Sequence, residues 1–192
     1  MKRLLATAAL SALVALPMTA QAAPVAYKLD PAHTAVVFIV DHLGFSKAVG
    51  SFNTVAGELS FDKDAADKSS LSVTIDTPSV DTNHAKRDEH LKSPDFFNVK
   101  EFPKMTFKST KIEKTGDKTG KLHGDLTLLG VTKPVVLDVT FNKDGVSPAS
   151  KQETVGFSAR GTIKRSDFGM KYGVPNIGDD IQIIIESEAV KA

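Results

Sequence analysis

The chain has 192 residues, with 24 Lys and Arg against 23 Asp and Glu, 5 His and no Cys. A net charge of +1 without any basic block excludes a nucleic-acid-binding surface and a standing attraction to anionic membranes. The absence of cysteine excludes disulfides, thiol nucleophiles, thiolate metal ligands and a lipidated cysteine anchor, so the fold must rest on an ordinary apolar core, for which one domain of this length suffices.

In chain order, Lys2 and Arg3 open the sequence, an almost unbroken apolar run follows from Leu4 to Leu16, and Ala20-Gln21-Ala22 supplies a small-x-small cleavage pattern. That order is the grammar of a secretory signal. The run is shorter than the ~20 residues a membrane-spanning helix needs, and a buried N-terminal helix would want polar caps that are missing. Residues 1–22 are therefore expected to be removed, leaving 23–192 as one periplasmic domain without a membrane anchor. Setting aside Lys2 and Arg3 leaves 22 basic against 23 acidic residues.

After residue 23 the pattern has period two nearly everywhere. Thr34, Val36, Phe38 and Val40 alternate with Ala35, Val37 and Ile39, giving a strand apolar on both faces. Leu71, Val73 and Ile75 alternate with Ser72, Thr74 and Asp76; Leu122, Gly124, Leu126 and Leu128 alternate with His123, Asp125 and Thr127. Val135, Leu137, Val139 and Phe141 form another stripe, as do Val155, Phe157, Ala159 and Ile163, and Ile181, Ile183 and Ile185 close the series. One apolar and one polar face marks an antiparallel sheet with a single interior. Turn signals stand at Asp62 to Ser70, Thr115-Gly116-Asp117, Thr132-Lys133-Pro134 and Lys143-Asp144-Gly145. About eight strands result, with Gly50 and Gly57 read as bulge or kink points, and they suit either a two-sheet sandwich or a closed barrel. An eight-stranded barrel either fills with side chains or holds one small ligand.

One segment breaks the rhythm. Asn83 to Lys92 has helical composition, with Asp81, Thr82 or Asn83 as the N-cap. Leu91 is its only large apolar side chain, and His84, Arg87 and Asp88 share its face. Arg87 and Asp88 are expected to pair with each other or with a strand, since charges are rarely buried alone; a solvated surface helix is the plainer alternative. Phe96, Phe97 and Phe102 then crowd one loop, capping a core or lining a cavity mouth.

Taken in order from Tyr27 to Glu188, these segments resemble the YceI-like family of lipocalin-like, polyisoprenoid-binding proteins. The resemblance is carried by His33-Thr34, His42-Leu43-Gly44, Gly50-Ser51-Phe52, Gly57-Glu58-Leu59-Ser60-Phe61-Asp62 and Ser79-Val80-Asp81-Thr82. It continues through Arg87-Asp88-Glu89-His90-Leu91, Asp95-Phe96-Phe97, Pro103-Lys104-Met105-Thr106-Phe107 and Gly124-Asp125-Leu126-Thr127-Leu128. Gly130-Val131-Thr132-Lys133-Pro134 and Arg165-Ser166-Asp167-Phe168-Gly169-Met170 complete it. Thr34 stands where many relatives have Ser, which keeps the hydroxyl. The resemblance implies an all-β, extended eight-stranded antiparallel barrel with one short helix. Its long apolar channel would hold a prenyl quinone or prenyl phosphate, with no resident cofactor. A prenyl tail would lie against Phe38, Phe52, Phe107, Leu126, Leu128 and Phe157, with Leu91, Phe96, Phe97 and Phe168 near the channel ends. Alternation alone favours a filled core, and only the resemblance points to a channel. Arg87 is the candidate head-group ligand, because its guanidinium can fork two hydrogen bonds to a phosphate or a quinone. Asp88 would orient it, and His42 and Arg165 are secondary candidates. A homodimer stays open.

Other chemistry finds little footing. His33 and His42 end one strand roughly 30 Å apart, His84 and His90 are off the helical i, i+4 spacing, and neither an HExxH nor a GxSxG motif appears. A binding protein rather than an enzyme is therefore expected; the alternatives are a lipid-modifying enzyme in the same cavity or a stress-induced amphiphile buffer. Export fixes a first measurable outcome. The intact mass of the protein from a periplasmic extract should correspond to a chain starting at Ala23, and a species retaining Met1 or carrying an acyl group would contradict it.

Overall fold

Alternating side chains give each strand one face to bury, and strands in register bury those faces together. The structure is a computed structural model describing residues 23–192; the segment read as a signal, 1–22, lies outside the described residues. Its strands are β1 (Val25–His42), β2 (Ser46–Phe52), β3 (Val55–Phe61), β4 (Ser70–Asp76) and β5 (Val80–Asp81). After the helix α1 (Ala85–Lys92) come β6 (Lys104–Lys114), β7 (Thr119–Leu128), β8 (Val131–Val146), β9 (Glu153–Lys164) and β10 (Ile177–Lys191).

All pairings are antiparallel. β1 pairs through its first residues with β3, through its second half with β2, and along its other edge with β10. The ring β1-β3-β4-β6-β7-β8-β9-β10 therefore closes, which gives the expected eight-stranded antiparallel barrel with one short helix. β2 and β5 extend the wall beside β1 at one end. α1, the loop 93–103 and the loop 165–176 cover that same end, called here the helix end. The opposite, hairpin end carries the loop 62–69 and the turns joining β6 to β7 and β8 to β9. No described helix is long and apolar enough to cross a membrane.

Several local expectations are corrected. Gly50 and Gly57 sit in unbroken register, opposite Phe38 and Val73, and are neither bulges nor kinks. They are small because side chains lie on them: a Cβ at Gly50 would strike the Phe38 ring, and one at Gly57 would come within 2.7 Å of Leu29 Cδ1. The register shifts fall elsewhere, notably between Leu29 and Thr34, where Asp30 to His33 loop outward, and between Phe141 and Lys143. Thr132-Lys133-Pro134 is strand, opposite Thr127 to Asp125. The turn is Leu129-Gly130, with φ of 52° and 72°, the positive pair that a type I′ hairpin requires. Lys143 to Gly145 likewise extends β8, pairing with Gly156 to Thr154. The N-cap of α1 is His84, whose Nδ1 accepts from the Arg87 N–H at 3.2 Å. Asp81 instead takes the N–H of Asn83, which adopts a φ of 58° and leads the chain into the cap.

Phe107 lies along the barrel wall on Gly124, as Phe38 does on Gly50; a Cβ at Gly124 would collide with its ring and approach Lys108 O to 2.7 Å. Gly124→Ala should thus destabilise the barrel by about 1–3 kcal/mol, read as a lower urea midpoint at unchanged slope. An unchanged midpoint would mean that the Phe107 ring swings freely into the lumen.

Candidate functional site

In a filled barrel, side chains from facing walls cover one another. Here Leu122, Leu126, Leu128 and Leu137 are buried, yet Val36, Phe38, Phe107, Val139, Phe157 and Ile185 remain half-buried although all point inward. What they face is a cavity of ≈340 Å³ inside the ring of strands, within the ~300–1,000 Å³ of small-molecule sites. Aromatic groups stand at both ends. Phe38, Phe52 and Phe97 cluster near the helix end, with ring centroids 5.3–6.4 Å apart. Phe61, Phe141 and Phe157 cluster near the hairpin end at 5.3–5.7 Å.

The helix end is shut. Phe96 and Phe97 are each 8% exposed, Leu128 4% and Met170 5%, and all four are on the cavity wall. Arg165, 2% exposed, closes this end from the turn Arg165–Phe168. Its Nε donates to Gly178 O at 2.8 Å, Nη1 to Met170 O at 3.2 Å and Nη2 to Ile177 O at 3.0 Å, tying the loop 169–178 down. Burial works against the guanidinium charge and holds its pKa below the ordinary value, while Asp179 works for it. Burial also pushes Asp179 up, but hydrogen bonds from Ser166 N and Oγ, helped by Lys164 and Arg165, leave that carboxyl below the usual range.

Of the residues expected to touch a tail, Phe38, Phe52, Leu91, Phe96, Phe97, Phe107, Leu126, Leu128 and Phe157 lie on the wall. Phe168 does not; the turn that carries it drives the ring into the packed core at 2% exposure. Among the head-group candidates only Arg165 reaches the wall, while His42 is exposed where β1 ends. Arg87 and Asp88 do not pair with each other; both converge on Thr82. Arg87 Nε donates to Thr82 Oγ1 and Nη2 to Thr82 O, each at 2.7 Å. Thr82 N and Oγ1 donate to Asp88 Oδ1 at 2.9 and 2.5 Å. This arrangement fastens α1 to the end of β5.

The sequence reading missed wall residues of two kinds. Phe61 and the Ile stripe of β10 follow the same alternation and were legible as inward. Lys63, Lys114 and Lys118 sit in or beside turns whose convergence only the topology creates. It also missed a surface cluster. The outward loop of β1 sets Asp30 Oδ2 2.7 Å from His33 Nδ1, and Glu188 of β10 joins them with ligand-capable atoms within 4.8 Å. The Asp30 hydrogen bond raises the His33 pKa and lowers that of Asp30.

The fork of Arg87 onto Thr82 has a measurable consequence. Arg87→Lys keeps the charge but not both bonds, and should cost about 0.5–1.5 kcal/mol of stability while leaving affinity for a prenyl alcohol in place. Lost affinity at unchanged stability would instead assign Arg87 to ligand.

The YceI-like domain profile matches residues 27–189. The chain is 43% identical over 169 residues to Protein YceI of Escherichia coli O157:H7, covering 86% of each. It is 38% identical to the Campylobacter jejuni YceI protein, whose crystal structure matches with a TM-score of 0.72 over 79% of this chain and 90% of that one. A polyisoprenoid binding domain from Saccharophagus degradans, implicated in plant cell wall breakdown, shares the fold at a TM-score of 0.67 and 15% identity, over 88% of this chain and 99% of that one. With a match spanning nearly all of the barrel and relatives above 40% identity, the chain belongs to the YceI-like family.

Proposed function

We propose that the protein is a periplasmic binding protein that carries a polyisoprenoid or similar long-chain lipid, held tail-inward in the barrel. The observation that carries this reading is the set of inward apolar side chains left half-buried around one elongated cavity. A chain molecule entering it would gain ~0.8 kcal/mol per buried CH₂, enough for tight binding without a metal or a covalent bond. Charged groups stand only at the two ends of the wall, so its middle offers a sliding apolar surface rather than an acid–base pair. The polyisoprenoid binding named for the Saccharophagus degradans domain agrees with this reading, and the signal-like residues 1–22 support a site of action outside the cytoplasm.

Mass spectrometry of an organic extract of the purified protein tests it. One dominant prenyl lipid near one equivalent per chain is the expected result; a mixture of unrelated amphiphiles would favour the buffering role. Leu126, 8% exposed on the wall, sharpens the test. Leu126→Lys places an unpaired charge in apolar surroundings, and the variant should lose the co-purifying lipid. Folded Leu126→Lys protein with normal lipid occupancy would show that the lipid does not occupy this cavity.

A further inference from the structure

The two ends of the cavity differ in exposure and in charge. Every wall residue at the helix end is buried or half-buried. At the hairpin end the wall runs out to exposed residues, Lys63 from the loop 62–69, Lys114 from the end of β6, and Asp117 and Lys118 from the β6–β7 turn. The cavity therefore opens between these two segments. Asp62 shapes the first of them, its Oδ1 accepting from Asp64 N at 3.0 Å and Ala65 N at 2.8 Å.

Of the charged side chains on the wall, only Asp117 is acidic. Arg165, at the closed end, already donates from three nitrogens to backbone carbonyls. The lysines gather at the open end. Lys121 is turned to Asp138 at 2.7 Å. Lys63 is shared between Asp144 at 2.9 Å and the face of Phe141 at 5.9 Å. Lys118 Nζ reaches only Asn142 O at 3.4 Å, and the Lys114 side chain has no hydrogen bond or ion pair among the described residues. One ammonium group thus stands free and a second is held only by one long hydrogen bond beside an apolar opening, with the Phe61, Phe141 and Phe157 rings behind them.

We infer that the ligand enters tail-first at the hairpin end, and that Lys114 and Lys118 receive an anionic head group such as a phosphate there, opposite the end that α1 covers. The inference rests on the proposed chain-binding role and adds the direction of entry and the charge class of the lipid. An ammonium binds phosphate as a mobile point charge. Exposed pairs of this kind are individually weak and screened by salt.

Calorimetric titration of the purified, lipid-stripped protein with geranylgeranyl phosphate and with geranylgeraniol separates head from tail. The phosphate should bind roughly tenfold more tightly at low ionic strength, with the preference shrinking as salt is added. The double variant Lys114→Gln, Lys118→Gln should lose that preference while its affinity for the alcohol moves far less, and Arg87→Lys should keep the preference. Equal affinity for the two lipids, a preference that survives the double lysine variant, or one lost in Arg87→Lys would overturn the inference while leaving tail binding intact. If neither lipid binds, the chain-binding reading falls and takes the inference with it.

Discussion

The pairing of β1 with β10 is the constraint on which the rest of this structure depends. These strands come from opposite ends of the described chain and are among its longest, 18 and 15 residues. Their register sets Val36 against Ile185, Phe38 against Ile183 and Val40 against Ile181, so both apolar faces turn inward together. A one-residue slip would turn each of those side chains outward. Closure also removes two strand edges that would otherwise template aggregation. The outward loop Asp30 to His33 shifts the register between Leu29 and Thr34, yet Leu29, opposite Ala189, and Thr34, opposite Ser187, both remain on the cavity wall.

Closure alone does not explain an open lumen, because eight strands leave an interior that side chains are able to fill. What keeps it open is the way large side chains lie down. Phe38 rests on Gly50 of the neighbouring strand and Phe107 on Gly124, so both rings run along the wall instead of across it. The glycines are thus part of the site: they leave the space that the two rings occupy beside the cavity. The same reasoning makes the two ends different. Phe96, Phe97 and Met170 seal the helix end with packed side chains, whereas at the hairpin end the wall runs out to exposed Lys63, Lys114, Asp117 and Lys118.

Much of this was legible in the sequence, and the failures have physical causes. The stripes of β7 to β10 gave their inward faces directly, because alternation survives whatever the strand pairs with. Which inward residues face empty space was hidden, since periodicity reports direction and not distance to the opposite wall. Turn positions were misread at Pro134 and Gly145: proline was taken as a breaker, yet its missing N–H is tolerated opposite Asp125, and the positive-φ pair was Leu129-Gly130. Arg87 and Leu91 both lie in α1, but the partner of Arg87, Thr82, precedes the helix, and spacing within a helix cannot register a group outside it. Lys114 and Lys118 flank one turn, but that they border the same cavity as the distant Lys63 follows only from the barrel's topology.

The central claim is that the lumen is an apolar channel built to hold a chain. A crystal structure of the protein with a bound prenyl alcohol tests that most directly. Continuous ligand density running past Phe107, Phe38 and Ile183, with the wall side chains where they stand now, is the predicted result. Wall side chains collapsed into a filled core, with the alcohol absent or bound on the outer surface, would contradict it.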